Sequence, residues 1–130
     1  MDHYNNPSVQ ARGIEFCNIA VTYTHAGQGD SINTGTWLPL KEFNGRPQAA
    51  GGGRYISGRF ELTYAGMAGA LAQGYATTST DAGLGSAMLP DEWALLSPGN
   101  VNLCNLQYLG SVSLRDTTLI AKNLISSFYG

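Results

Sequence analysis

Three consecutive glycines, Gly51-Gly52-Gly53, sit between a short run of strand-formers and a helical pattern, with a second strand pattern after the helix. A glycine run at the end of a strand leaves backbone N–H groups facing outward, because no Cβ blocks the approach of another group. The segment before it, Arg46-Pro47-Gln48-Ala49-Ala50, reads as a short strand entered from the turn signal Asn44-Gly45. The segment after it, Leu62 to Gln73, places Leu62, Ala65, Ala68, Leu71 and Ala72 at helical spacing. Gly66 and Gly69 weaken that helix by about 1 kcal/mol each relative to Ala, so packing against a sheet must hold it. Gly74 stops the helix, and Tyr75 to Thr80 is a run of β-formers. Strand, glycine loop, helix, strand is the grammar of a βαβ unit with a right-handed crossover. The chain is therefore expected to belong to the α/β class.

The flanking segments extend this reading. Residues 1–14 are expected to form a mobile N-terminal arm, and residues 15–130 the folded part. Glu15 to Thr24 alternates, with Phe16, Ile19, Val21 and Tyr23 as its β-formers, and predicts a strand. His25 to Asp30 is a turn by its Gly and Asp content, and Ser31 to Leu38 predicts a second strand ending at Pro39. Residues 82–100 read as a long ordered loop anchored by Trp93 and Leu95-Leu96. Val101 to Leu109 reads as helical. Ser113-Leu114-Arg115-Asp116 resembles a capping box with Asp in place of Glu. Behind it, Leu114, Thr118, Ala121, Ile125 and Phe128 make one predicted helical stripe.

Composition excludes several partners. Charged residues are 12% of the 130, about half the usual share of roughly 25%, which suits a surface partly covered by something else. The net charge of −2 gives no basic footprint for nucleic acid and no Lys/Arg cluster for an anionic membrane. No apolar run approaches the roughly 20 residues of a membrane helix. Met1 to Pro7 is polar, so no signal peptide is visible. Cys17 and Cys104 are too few and too far apart for a zinc site, and no metal site is expected. Two readings of the cysteines stand: a disulfide, or two buried free thiols.

The chemistry of the chain centres on the glycines. In α/β esterases a glycine-rich loop supplies N–H donors to the oxyanion of the tetrahedral intermediate, which makes Gly51, Gly52 and Gly53 the oxyanion-hole candidates. The competing reading is a plain flexible turn. A phosphate cradle fails on spacing: Ile56 stands where a dinucleotide motif needs its third glycine, and Arg59-Phe60 replaces the Lys-Ser/Thr of a P-loop. No Gly-x-Ser-x-Gly elbow occurs. Ser97 has a final Gly, but Pro98 removes the N–H an elbow needs as a donor. Asp81, at a strand end, is the best single carboxylate candidate, placed behind the glycines rather than on substrate. Its alternative role is an Asx turn holding Ala82-Gly83. His25 and His3, in a turn and an arm, read as surface residues rather than as a base.

Six stretches in order resemble the tannase and feruloyl esterase family of fungi and bacteria: Phe16 to His25, Trp37-Leu38-Pro39-Leu40, Asn44 through Gly53, Gly74 through Gly83, Ser97 to Leu103, and Ser126 to Gly130. The resemblance covers residues 15–130. It implies an incomplete α/β-hydrolase fold: the N-terminal strands, the βαβ unit and the following helices of a secreted serine esterase. It also implies that nucleophile, acid and base lie outside this chain, the nucleophile in a Cys-Ser-x-Gly-Gly motif beyond Phe128-Tyr129-Gly130. A disulfide from that Cys to one beside the His, and calcium in a large lid, belong to the same implied remainder, so no cofactor is expected in this chain. The implied substrate is a small aromatic ester, feruloyl or galloyl, and the chain alone is expected to be inactive. Here Arg54 follows three glycines where the family often has four, and Leu84 stands where it often has His. The alternative is a non-catalytic binding module made from an esterase half, with an open sheet edge that invites self-association.

Overall fold

The structure is a computed structural model that describes residues 10–130. Residues 1–9 of the expected arm lie outside the described residues. Ala11 is buried against Trp37, Met67, Ala68 and Leu71, with Ile14 packed on the same cluster. Four strands form the main sheet: β1 (Phe16–Tyr23), β2 (Ile32–Pro39), β3 (Pro47–Ala49) and β4 (Ala76–Thr80), in the spatial order β1-β2-β4-β3. β1 and β2 are an antiparallel hairpin in register from Phe16 opposite Pro39 to Tyr23 opposite Ile32. β2 also pairs antiparallel with β4, from Thr34 opposite Thr80 to Trp37 opposite Thr77. β3 runs parallel to β4, Pro47 beside Ala76 and Ala49 beside Thr78, so the strand–loop–helix–strand expectation holds.

β2 and β4 are central, which is why their side chains are almost all buried while β1 alternates between half-buried and exposed. The two faces of the sheet carry different chemistry. Helix α1 (Glu61–Ala72) lays Met67, Ala68 and Leu71 onto Trp37. Tyr64 of α1 stacks on Trp37 at a centroid distance of 5.7 Å, and Phe16 flanks it at 4.9 Å. The small residues of α1 let the helix axis approach the sheet closely. On the opposite face the pleat presents Thr34, Thr36, Thr78 and Thr80. Thr36 and Thr78 share a hydroxyl hydrogen bond of 3.0 Å, and Thr34 meets Thr117 of the last helix at 3.2 Å.

The C-terminal third departs from the sequence reading in three ways. α2 (Leu103–Gln107) runs through a π-helical turn at Tyr108–Val112 directly into α3 (Ser113–Tyr129). Ser113 is thus in helical conformation rather than at a cap, and its hydroxyl donates back to the Tyr108 carbonyl at 2.6 Å, closing the wide turn. The buried stripe of α3 is Ser113, Thr117 and Ala121 rather than Leu114, Thr118 and Phe128. Thr117 pairs with Thr34 of the threonine face beneath and Ser113 with the Tyr108 carbonyl, so this side of the helix is inward and Leu114 and Phe128 are exposed. The loop after β4 holds a 3₁₀ turn at Pro90–Glu92 and a two-stranded ribbon of β5 (Leu95–Ser97) and β6 (Asn100–Val101). Trp93 anchors it, packed with Ile32, Ala82, Leu84 and Tyr108, whereas Leu95 and Leu96 are exposed. Cys17 and Cys104 are not joined in a disulfide; of the other reading, two buried free thiols, Cys17 is half-buried and Cys104 is exposed.

Candidate functional site

The glycine run leaves the carboxyl end of β3. The parallel pairing continues one residue beyond the strand, where the Ala50 N–H donates to the Thr78 carbonyl at 2.8 Å. Gly52 then turns sharply: its N–H donates to the Ser57 carbonyl at 2.6 Å, and a Cβ there would overlap the carbonyl of Ile56. The Ile56 N–H closes the turn on the Gly53 carbonyl at 3.1 Å. The Thr63 hydroxyl, in the first turn of α1, holds the Gly51 carbonyl at 3.1 Å. Of the three candidate donors, Gly52 is therefore committed within the loop. No hydrogen bond among the described residues takes the N–H of Gly51 or Gly53.

Beside this loop lies a cleft of about 230 Å³, walled by Ala49 to Gly51, Ser57, the carboxyl half of β4, and Leu114, Thr117 and Thr118 of α3. Leu114 and Thr118, displaced from the core stripe, face this opening. The cleft thus sits at the carboxyl ends of two parallel strands, where open α/β sheets place their ligands.

Asp81 follows β4. One carboxylate oxygen accepts from the Asn33 N–H at 2.9 Å and from the Gly83 N–H at 2.8 Å, and the other accepts from the Asn33 side-chain amide at 2.8 Å. Ala82, next in the chain, takes a positive φ of 55°. The carboxylate makes the Asx turn and also clamps the turn to β2, a contact that no local pattern encodes.

A second polar cluster, invisible in the sequence, closes the tip of the β1–β2 hairpin. His25 Nδ1 lies 2.5 Å from Asp30, and Nε2 lies 3.0 Å from Asp116 of α3. Tyr108 stacks on the imidazole at 5.3 Å, Tyr23 meets it edge-on, and the Tyr108 hydroxyl donates to Gln28. The hydrogen bond to Asp30 leads the causes that raise the His25 pKa above its ordinary value. Burial works to raise Asp30, but the His25 side-chain and backbone hydrogen bonds outweigh it, so the net shift is downward. Burial, then the neighbouring Asp30 carboxylate, pushes the Tyr108 phenol up to about 12. Both imidazole nitrogens face carboxylates, which favours the protonated ring, and the two contacts tie the hairpin turn to α3. The signal that was available was His25 and Asp30 flanking one turn; Asp116 lies 91 residues on.

No family model matches the chain. It is 39% identical over 129 residues to a probable feruloyl esterase of Arthroderma benhamiae, covering 95% of this chain and 23% of that protein. It is 31% identical over 118 residues to the tannase of Aspergillus oryzae, covering 89% of this chain and 19% of that one. The tannin acyl hydrolase of Aspergillus niger superimposes with a TM-score of 0.69 at 31% identity, over 84% of this chain and 20% of that structure. The chain spans about a fifth of the length of the curated relatives it matches. In sequence and in fold, over the stretch it spans, the chain is a relative of the tannase and feruloyl esterase family.

Proposed function

We propose that the chain is the N-terminal part of a serine-type carboxylic ester hydrolase with an α/β-hydrolase fold, acting on feruloyl or galloyl esters and inactive alone. The observation that carries this reading is the glycine loop at the carboxyl end of β3, with Gly51 lining the cleft and the Gly51 and Gly53 amides uncommitted among the described residues. The strand order β1-β2-β4-β3 and the names of the relatives support it. In this reading a serine from the remainder of the protein attacks the ester carbonyl, a histidine moves the proton, and an aspartate orients that histidine. The open amides stabilise the oxyanion, each such donor contributing about 10²–10³ in rate. Secretion, the disulfide beside the nucleophile and any calcium-bearing lid belong to that remainder. Among the described residues no group of three or more His, Cys, Asp or Glu could hold a metal ion.

The test is hydrolysis of methyl ferulate and methyl gallate. The 130-residue chain is expected to give none above background. The longer product of the same transcript is expected to be active and to lose about 10²–10³ in kcat when Gly53→Pro deletes one N–H. Turnover by the short chain that survives replacement of every serine overturns the mechanism.

The alternative is a non-catalytic binding module. The engagement of both His25 ring nitrogens by carboxylates fits either reading, since the esterase reading takes its base from the remainder of the protein. In either reading β3 is an exposed three-residue edge strand paired on one side only, a site for self-association or for another strand. A monomeric chain with a cooperative melt supports the module; soluble aggregates or a molten state support the esterase part.

A further inference from the structure

The face of the sheet opposite the glycine-loop cleft carries a second opening, of about 300 Å³, next to the start of α1. Asn18 and Ala20 of β1 and Gly35 and Trp37 of β2 form its floor, and Tyr64 and Arg59 form its sides. These residues come together for a physical reason. Trp37 stands opposite Asn18, and Gly35 opposite Ala20, so all four project from one side of the hairpin. Gly35 is a glycine within a buried strand, where a side chain is expected. Its absence of a Cβ makes a notch, and the Arg59 guanidinium fills it: a Cβ at Gly35 would stand 2.7 Å from Nη1.

Arg59 is held there by its backbone. It adopts a φ of 55°, in the left-handed region that costs a non-glycine residue about 1 kcal/mol or more. Its N–H donates to Ser79 Oγ at 3.1 Å. Gly58, just before it, crosses β4 so closely that a Cβ would lie 2.7 Å from the Thr80 carbonyl oxygen. Strain of this kind persists where the surroundings impose it, and here it aims a long cation across an aromatic-walled opening. The ion pairs among the described residues are His25 with Asp30 and Asp116, and Lys41 with Glu15. No carboxylate among them takes the Arg59 guanidinium, although it is half-buried.

We infer that this opening is a binding site for a small aromatic carboxylate. The Arg59 fork takes the two carboxylate oxygens, a planar bidentate match that a lysine does not reproduce. The Asn18 amide lies within the same opening as a further donor. The ring packs against the Trp37–Tyr64 pair and the methyl of Ala20, removing apolar surface from water. The volume is at the low end for ligand sites and suits one ring with a short acid-bearing arm. The apolar wall is what separates this ligand from a bare inorganic anion. The inference does not depend on the ester-hydrolase reading, because binding of an acid is measured without turnover.

The test is titration of the 130-residue chain with trans-cinnamate and benzoate, followed by calorimetry and by the indole and guanidinium resonances in NMR. Cinnamamide probes the need for charge, and acetate the need for a ring. Cinnamate is expected to bind at least tenfold more tightly than either control, shifting the Trp37 indole and Arg59 Nε signals. Arg59→Gln is expected to abolish the preference for acid over amide, and Arg59→Lys to weaken cinnamate severalfold. The wild-type NMR map keeps the test decisive if Arg59→Gln does not fold. Equal binding of cinnamate and cinnamamide, shifts that avoid Trp37 and Arg59, or no shift at 10 mM cinnamate overturns it.

Discussion

The carboxyl end of β3 and the tip of the β1–β2 hairpin are both polar clusters at the edge of one sheet, and they differ in what they leave free. At the hairpin tip both nitrogens of His25 and the hydroxyl of Tyr108 have partners, and the stacked rings cover the imidazole. At the glycine loop only the middle amide is used; among the described residues the two flanking N–H groups have no partner, and Gly51 lines a cleft. A saturated cluster holds elements together; an unsaturated one has capacity left for a ligand. Size and charge would have ranked the two the other way, since the hairpin tip holds an imidazole between two carboxylates and the three glycines carry no side chain.

That contrast can be broken by substitution. The largest effect is expected from the core between α1 and the sheet. Met67→Ala empties a fully buried position under Trp37 and should cost about 3 kcal/mol in denaturant unfolding. Next is Gly52→Ala, whose Cβ meets the Ile56 carbonyl; about 2 kcal/mol is expected. Gly51→Ala, with its nearest neighbour at 3.9 Å, should stay within about 0.5 kcal/mol. If the two variants melt alike, the loop is not the fixed turn described. Asp81→Ala strips three hydrogen bonds and leaves the Asn33 N–H without its acceptor, so a loss of about 2 kcal/mol is expected.

The smallest effect is the pH dependence of the hairpin tip. The folded pKa of His25 is raised, so its contribution is fully present below the unfolded value of about 6.5 and is lost as pH rises through the folded value. Asp30 is lowered, so its contribution is present above the ordinary carboxylate value and is lost as pH falls through its folded value. The tip is therefore firmest between those limits, in mildly acidic solution. Thermal melts across pH 3 to 9 should show His25→Gln removing the decline on the alkaline side. An unchanged profile would mean that the cluster does not tie the hairpin to α3.

Much of the fold was legible because it is local. The alternation of Phe16 to Tyr23, the glycine stop at Gly74 and the existence of α1 each depend on neighbours a few residues away, but the face of α1 did not follow its spacing: Leu62 is exposed, and Thr63, Met67 and Ala70 join Ala68 and Leu71 inside. α3 was misread because its buried stripe is chosen by the threonines of β2 and β4, not by its own hydrophobicity. Ser113 and Thr117 go inward to pair with hydroxyls and a carbonyl, and Leu114 goes outward. The Ser113 cap failed because the π turn at Tyr108–Val112 carries the helix straight through. For the site, the position of the glycines was readable, but not which amide the loop consumes, since that is set by the return of the chain at Ser57. The His25–Asp116 and Arg59–Gly35 pairings rest on contacts across 91 and 24 residues, and no short-range pattern encodes them.

Amide hydrogen exchange at the three glycines tests the account most directly. Gly52 should be protected by its bond to Ser57, while Gly51 and Gly53 exchange near the rate of open peptide. Protection at Gly51 and Gly53, or fast exchange at Gly52, would mean that the loop offers no free donors and that the proposed oxyanion pocket is absent.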